Sequence, residues 1–220
     1  MAREYYETRA LGGRVEFRDN DGGIEYTSGP IVSVGGVPQL GRLPEKKAAQ
    51  SVALQGYVVR FNKPHAFKGG IDVFAPGCFD ASLASRKRVG FWLAHEAGTE
   101  IASTDGDLEL MADGTGLAFR LKNPLADLVT EVRERRMTAM SAGYHVVRQE
   151  HKTVAGERVR FIQECDLTEV SLCKAGAVKQ AFIDVVDLQQ RGSLRDDVKS
   201  GRVLADGAFV ALMRSLGRAQ

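Results

Sequence analysis

The sequence predicts a mainly β chain with few helices (α+β), built as an antiparallel sheet or barrel. Short runs rich in Val, Leu and aromatic residues are punctuated by glycine turns throughout the chain. Residues 108 to 121, LELMADGTGLAFRL, read as two strands joined by a turn at Asp113 to Gly116. Helical periodicity is confined to one clear segment after residue 123 and a shorter one near the end.

Near the N-terminus Val15 and Phe17 alternate with charged residues, and Ile24 to Thr27 follows a DNDGG turn, so both stretches read as strands. Residues 29 to 47 are rich in Gly and Pro with little period, which predicts loop. SVALQGYVVRFN (51 to 62) and VGFWLAH (89 to 95) are strong strand candidates. The clearest helix is expected to start at Asn123 and Pro124, a cap residue followed by proline at the first helical position. Leu125, Leu128, Val129 and Val132 then form one apolar stripe, and RERR at 133 to 136 complements the carboxyl end of a helix dipole. MTAMSAGYHV (137 to 146) reads as buried strand, followed by a polar turn around Gly156 and by residues 158 to 174, long enough for two strands or one bent one. Residues 187 to 205 read as polar and irregular, and Phe209, Leu212, Met213 and Leu216 mark a short amphipathic helix over 207 to 217.

Composition limits what such a chain does. The 220 residues, 44% of them hydrophobic, suit one globular domain with a real core. Lys and Arg at 30 against Asp and Glu at 28 leave a net charge of +2, which gives no basic field for a nucleic-acid partner. Cys78, Cys165 and Cys173 are an odd, widely spaced set, as expected of free thiols in a reducing compartment rather than of a disulfide framework or zinc site. MAREYYETRA lacks the apolar segment of a secretory signal, and no run approaches the ~20 apolar residues of a membrane helix, so a soluble intracellular protein is expected.

Ser141, between Met140 and Ala142-Gly143, is either packing material or a nucleophile. A serine nucleophile needs a base and a group that orients the base. His145 lies four strand residues on, ~13 Å away at the strand rise. His151 falls in a polar turn and His65 in the KPHAF loop, both expected to face solvent. His95 closes an apolar strand, where an ionisable ring needs a reason to sit at the edge of a core. The G-x-S-x-G elbow requires its acid and histidine well downstream of the serine, which this sequence lacks, and His95-Glu96 has no second histidine of a H-E-x-x-H zinc helix. Neither a metal nor a cofactor is expected.

GYVVRFN, DVFAPGCFDASL, VGFWLAHE, MSAGYHV and DLTEVSLCKAGAVKQA follow, in that order, the sequence blocks of the prohead (capsid maturation) serine proteases of tailed phages and related gene transfer agents. The resemblance covers about residues 51 to 186 and divides the chain into residues 1 to 50, a protease domain at 51 to 186 and a tail at 187 to 220. It implies a β-barrel wrapped by helices, similar to the herpesvirus assembly proteases. It also implies His95 as general base, Ser141 as nucleophile and, as third member, the acid of the DLTEVSL block. Glu169 holds that place, with Asp166 and Glu164 as rivals. On an extended strand Leu167, Glu169 and Ser171 are expected on one face, opposite Val170 and Leu172. The chain departs from the family pattern at Lys174-Ala175-Gly176 and in the length of the 29 to 47 segment.

What the resemblance implies is a serine endopeptidase acting inside an assembling prohead in the bacterial cytoplasm. Its substrates would be the major capsid protein, a scaffolding segment and the protease itself, with self-association and without nucleic acid or membrane. The alternative is an inactive scaffold or capsid-binding module of the same fold. A small-molecule esterase stands third.

Overall fold

The computed structural model describes residues 4–7, 52–67, 70–154, 156–174 and 181–204. The expected strands at 15 to 27, the Gly/Pro-rich 29 to 47 segment and the helix at 207 to 217 lie outside them. In chain order the strands are β1 (Glu4–Glu7), β2 (Val52–Arg60), β3 (Pro64–Phe67), β4 (Gly70–Phe74), β5 (Gly90–Leu93), β6 (Ala102–Ser103), β7 (Leu108–Ala112), β8 (Gly116–Lys122), β9 (Ala139–Val154), β10 (Glu157–Cys173) and β11 (Phe182–Asp187). The helices are α1 (Asp80–Ala84), α2 (Ala126–Arg133) and α3 (Leu194–Lys199).

Two sheets result. One runs β1-β9-β10-β4-β3, with β5 also on β10 and β6 on β5; the other runs β11-β2-β8-β7. Neither closes on itself among the described residues, so the expected barrel gives way to two open sheets. The wholly antiparallel expectation is also corrected. β10 is 17 residues long and carries β4 along Val159–Ile162 and β5 along Glu169–Leu172, both parallel, which makes the larger sheet mixed. Residues 158 to 174 are therefore one bent strand, with register shifts between Ile162 and Glu164, Glu164 and Cys165, and Leu167 and Glu169. Asp113 makes the turn between β7 and β8 by accepting the main-chain N–H groups of Thr115 and Gly116 at 2.7 and 2.8 Å.

The sheets share one core. Leu54 of β2 and Leu117 and Phe119 of β8 pack with Met140, Ala142, Val170 and Leu172 of β9 and β10. Burying each of the Leu, Phe, Met and Val side chains contributes about 1.5–3 kcal/mol. α2 adds Leu128, Val129 and Val132, as its apolar stripe requires. The helix starts at Ala126, later than the Asn-Pro pair suggests, because Asn123 takes a left-handed φ of 46° and its amide donates to Asp107 instead of capping.

The reading of 187 to 205 as irregular is corrected as well. Ser193 and Asp196 form a reciprocal capping box at the start of α3, and Leu194, Val198 and Val203 pack with Tyr57, Ala118 and Phe182. Beneath them Asp197 accepts from Arg120 Nη2 at 2.8 Å and from Gln55 Nε2 at 3.2 Å, and Arg120 Nε donates to Gln55 Oε1 at 2.7 Å. A polar segment is held down here by a buried ion pair that no apolar periodicity announces. His65 is likewise buried, not solvent-facing: its Nε2 donates to the Arg60 carbonyl at 3.0 Å and its ring stands edge-on to Phe74.

Candidate active site

The apolar β5 ends where its chain must leave β10, and the turn from Leu93 to Glu96 does this in an unusual way. Glu96 N–H donates to the Leu93 carbonyl at 3.0 Å, and both central residues, Ala94 and His95, have positive φ, 52° and 61°. Such primed turns ordinarily use Gly, Asn or Asp. For Ala and His the left-handed conformation costs on the order of 1–2 kcal/mol per residue. Three contacts over-determine it: Ala94 N–H donates to the Leu172 carbonyl at 3.0 Å, His95 N–H to Ser171 Oγ at 3.2 Å, and Leu93 N–H to Thr99 Oγ1 at 3.1 Å. Strain maintained in this way aims the His95 side chain at the β9–β10 ladder.

The ladder sorts its side chains by alternation. Ser171 pairs with Ser141, Glu169 with Gly143 and Cys173 with Ala139, so these six positions share one face. Met140, Ala142, Val170 and Leu172 take the other face and join the core. Leu167 also joins the core, contrary to the expectation that it shares a face with Glu169. The register shift is the reason: Leu167 pairs with Tyr144 and Glu169 with Gly143, leaving the exposed Thr168 as the extra residue of a bulge. That bulge re-aims the carboxylate.

His95 Nδ1 then lies 2.6 Å from Glu169 Oε1, with both side chains buried. The other carboxylate oxygen, Oε2, accepts from the Ser171 hydroxyl at 2.6 Å. A carboxylate only accepts, so Nδ1 carries the proton and in the neutral ring Nε2 presents its lone pair. Nε2 is buried and makes no hydrogen bond to a nitrogen or oxygen, with the Cys173 side chain beside the ring. Burial pushes the imidazole pKa down, but the neighbouring Cys173 side chain and the Glu169 carboxylate outweigh it and bring the group up to about 10.

Gly143 makes room for this arrangement. A Cβ there would stand 2.5 Å from Glu169 Oε1 and 3.1 Å from its Cδ. Neither Gly143 nor Ser171 was singled out for a role by the sequence. A glycine inside a strand between apolar neighbours is the signal that was present, since it marks a close approach by another group.

The rival acids are elsewhere. Asp166 pairs with Lys87 at 3.7 Å and Glu164 with Arg148 at 3.6 Å, both in partly exposed positions. His151 is exposed on the outer part of β9. His95, Glu169 and Ser171 are thus joined by hydrogen bonds, and Ser141 lies beside Ser171 on the same face, only 2% exposed. Among the described residues no group of three His, Cys, Asp or Glu side chains is placed to hold a metal ion.

Compared with known families, residues 42–193 match the model of the caudovirus prohead serine proteases, more than half of the 220-residue chain. The chain belongs to this family. The prohead protease match begins upstream of β2 and ends before α3, so it contains the His95 turn, β9 and β10 in full. Within the prohead protease span lie all the residues that meet at the site. No match is found among curated proteins. No helix among the described residues is long and apolar enough to cross a membrane.

Proposed function

We propose that the chain is the endopeptidase that matures a phage-like prohead, cleaving the major capsid protein, its scaffolding segment and itself. Ser141 Oγ attacks the scissile carbonyl while His95 Nε2 takes its proton, which forms the C–O bond and the tetrahedral intermediate. His95 returns that proton to the leaving amine as the C–N bond breaks. Water, deprotonated by the same nitrogen, then hydrolyses the acyl-enzyme and restores Ser141. Glu169 holds the ring in the tautomer that keeps Nε2 free and offsets the imidazolium charge as it forms.

One observation carries this reading: a buried histidine with its Nδ1 on a carboxylate at 2.6 Å and no nitrogen or oxygen on its Nε2, beside the face that bears Ser141. Ser171 faces Ser141 and donates its own proton to Glu169; Ser141 is assigned as the nucleophile because it holds the serine place of the MSAGYHV block. The test is co-expression with the cognate capsid protein. The wild-type chain should process coat, scaffold and its own termini, and Ser141→Ala should process none of them. Unchanged processing by Ser141→Ala would overturn the assignment.

The 2% exposure of Ser141 favours a second reading, a capsid-bound relative without turnover. That reading predicts that the chain enters proheads and that no cleavage there depends on Ser141.

A further inference from the structure

Ser171 makes two hydrogen bonds that converge on one residue. Its hydroxyl donates to Glu169 Oε2 at 2.6 Å and accepts the main-chain N–H of His95 at 3.2 Å. Glu169 Oε1 meanwhile meets His95 Nδ1 at 2.6 Å. The result is a closed circuit from the His95 backbone through Ser171 and Glu169 to the His95 ring. It constrains the ring at both ends, by its own main chain and by the carboxylate opposite.

Each side of this circuit needs the hydroxyl. Ser171 is 0% exposed and Glu169 3%, so no solvent replaces a lost partner. Without the hydroxyl, one carboxylate oxygen and one strained-turn N–H are left buried and unsatisfied. Glu169 would also lose the contact that fixes the rotation of its carboxylate plane. Only a side chain that both donates and accepts at one atom closes the circuit, which a serine or threonine hydroxyl does and an aliphatic side chain cannot.

We propose that Ser171 is a positioning residue of the proteolytic site: it acts through Glu169 and the His95 backbone to hold the imidazole toward Ser141, without touching substrate. This rests on the reading of His95 as the general base, and it adds a fourth member to the three residues that the sequence blocks imply.

The experiment compares Ser171→Ala and Ser171→Thr in the full chain by three measurements. Losing hydrogen bonds to a charged group at the orienting step should lower kcat by about 10- to 100-fold while KM stays within about two-fold. The acid limb of kcat/KM should move to lower pH, because a carboxylate no longer held against Nδ1 stabilises the imidazolium less. The proton on His95 Nδ1, observed by NMR in a Ser141→Ala background that does not digest itself, should shift upfield and exchange faster with water. Ser171→Thr should restore all three toward wild type. A Ser171→Ala chain that melts earlier, yet keeps the acid limb and the Nδ1 resonance of wild type, would overturn the proposal. The resonance requires no turnover, so it decides the role of Ser171 even if Ser141→Ala shows the proteolytic reading to be wrong.

Discussion

Gly143 faces Glu169 across the β9–β10 ladder so closely that a methyl group on it would stand 2.5 Å from the carboxylate oxygen that meets His95. Gly143→Ala must therefore push the carboxylate away or spread the strands. Overpacking of this kind typically costs about 1–3 kcal/mol. The expected outcome is a urea midpoint lowered accordingly, with kcat down by at least about ten-fold through the misplaced ring. Gly114→Ala is the control, because nothing lies within 4 Å of its added Cβ in the exposed β7–β8 turn; both quantities should stay near wild type there.

His95 sets a pH dependence with opposite signs for activity and stability. As a general base it works only when neutral, and its pKa is raised, so kcat/KM should climb as pH rises through the alkaline range toward about 10. Stability runs the other way. A histidine whose folded pKa exceeds the unfolded value of about 6.5 contributes its full stabilisation below that pH and loses it as pH rises through the folded pKa. Glu169→Gln removes a charge that raises the pKa. Its acid limb should move to lower pH while kcat falls, as read from pH–rate profiles of the two chains.

His65 governs the acid side. Burial lowers its pKa against the opposing hydrogen bond to the Arg60 carbonyl, and its Nδ1 has no partner to receive a second N–H proton. Its contribution is therefore present above about pH 6.5 and is lost as pH falls through that value, where the unfolded chain binds the proton more readily. Between pH 7 and 5 the urea midpoint of wild type should drop more steeply than that of His65→Gln.

The segment after β11 is held by the buried pair of Arg120 and Asp197, 2% and 1% exposed. Asp197→Ala leaves the buried guanidinium without its counter-charge and should destabilise by roughly 3–5 kcal/mol, whereas the double change Arg120→Met with Asp197→Ala should recover most of it. Denaturant titration of the two single variants and the double variant gives the coupling. Limited proteolysis of Asp197→Ala should show new cuts around α3 first.

These residues also show what a sequence reveals and what it conceals. The β7–β8 hairpin, the apolar stripe of α2 and the strand character of β2, β5 and β9 follow from local pattern, because alternation and turn chemistry are local forces. His95 stands out because an ionisable ring ends an apolar strand, whereas Glu169 is legible only through the resemblance, as the acid of the DLTEVSL block. The parallel docking of β5 on β10, the bulge at Thr168 and the burial of His65 depend on partners far away in the chain, so no window of sequence contains them. The same holds for Ser171. Its importance lies in meeting the His95 backbone, 76 residues earlier, in a turn whose left-handed conformation neither Ala94 nor His95 advertises.

The most direct test of the central claim is labelling by a serine-directed fluorophosphonate, with the modified residue identified by mass spectrometry. Wild type should carry one adduct, on Ser141, formed faster as pH rises, and His95→Ala should label at least about a hundred-fold more slowly. An adduct on Ser171, or equal labelling of Ser141 with and without the imidazole, would contradict the account.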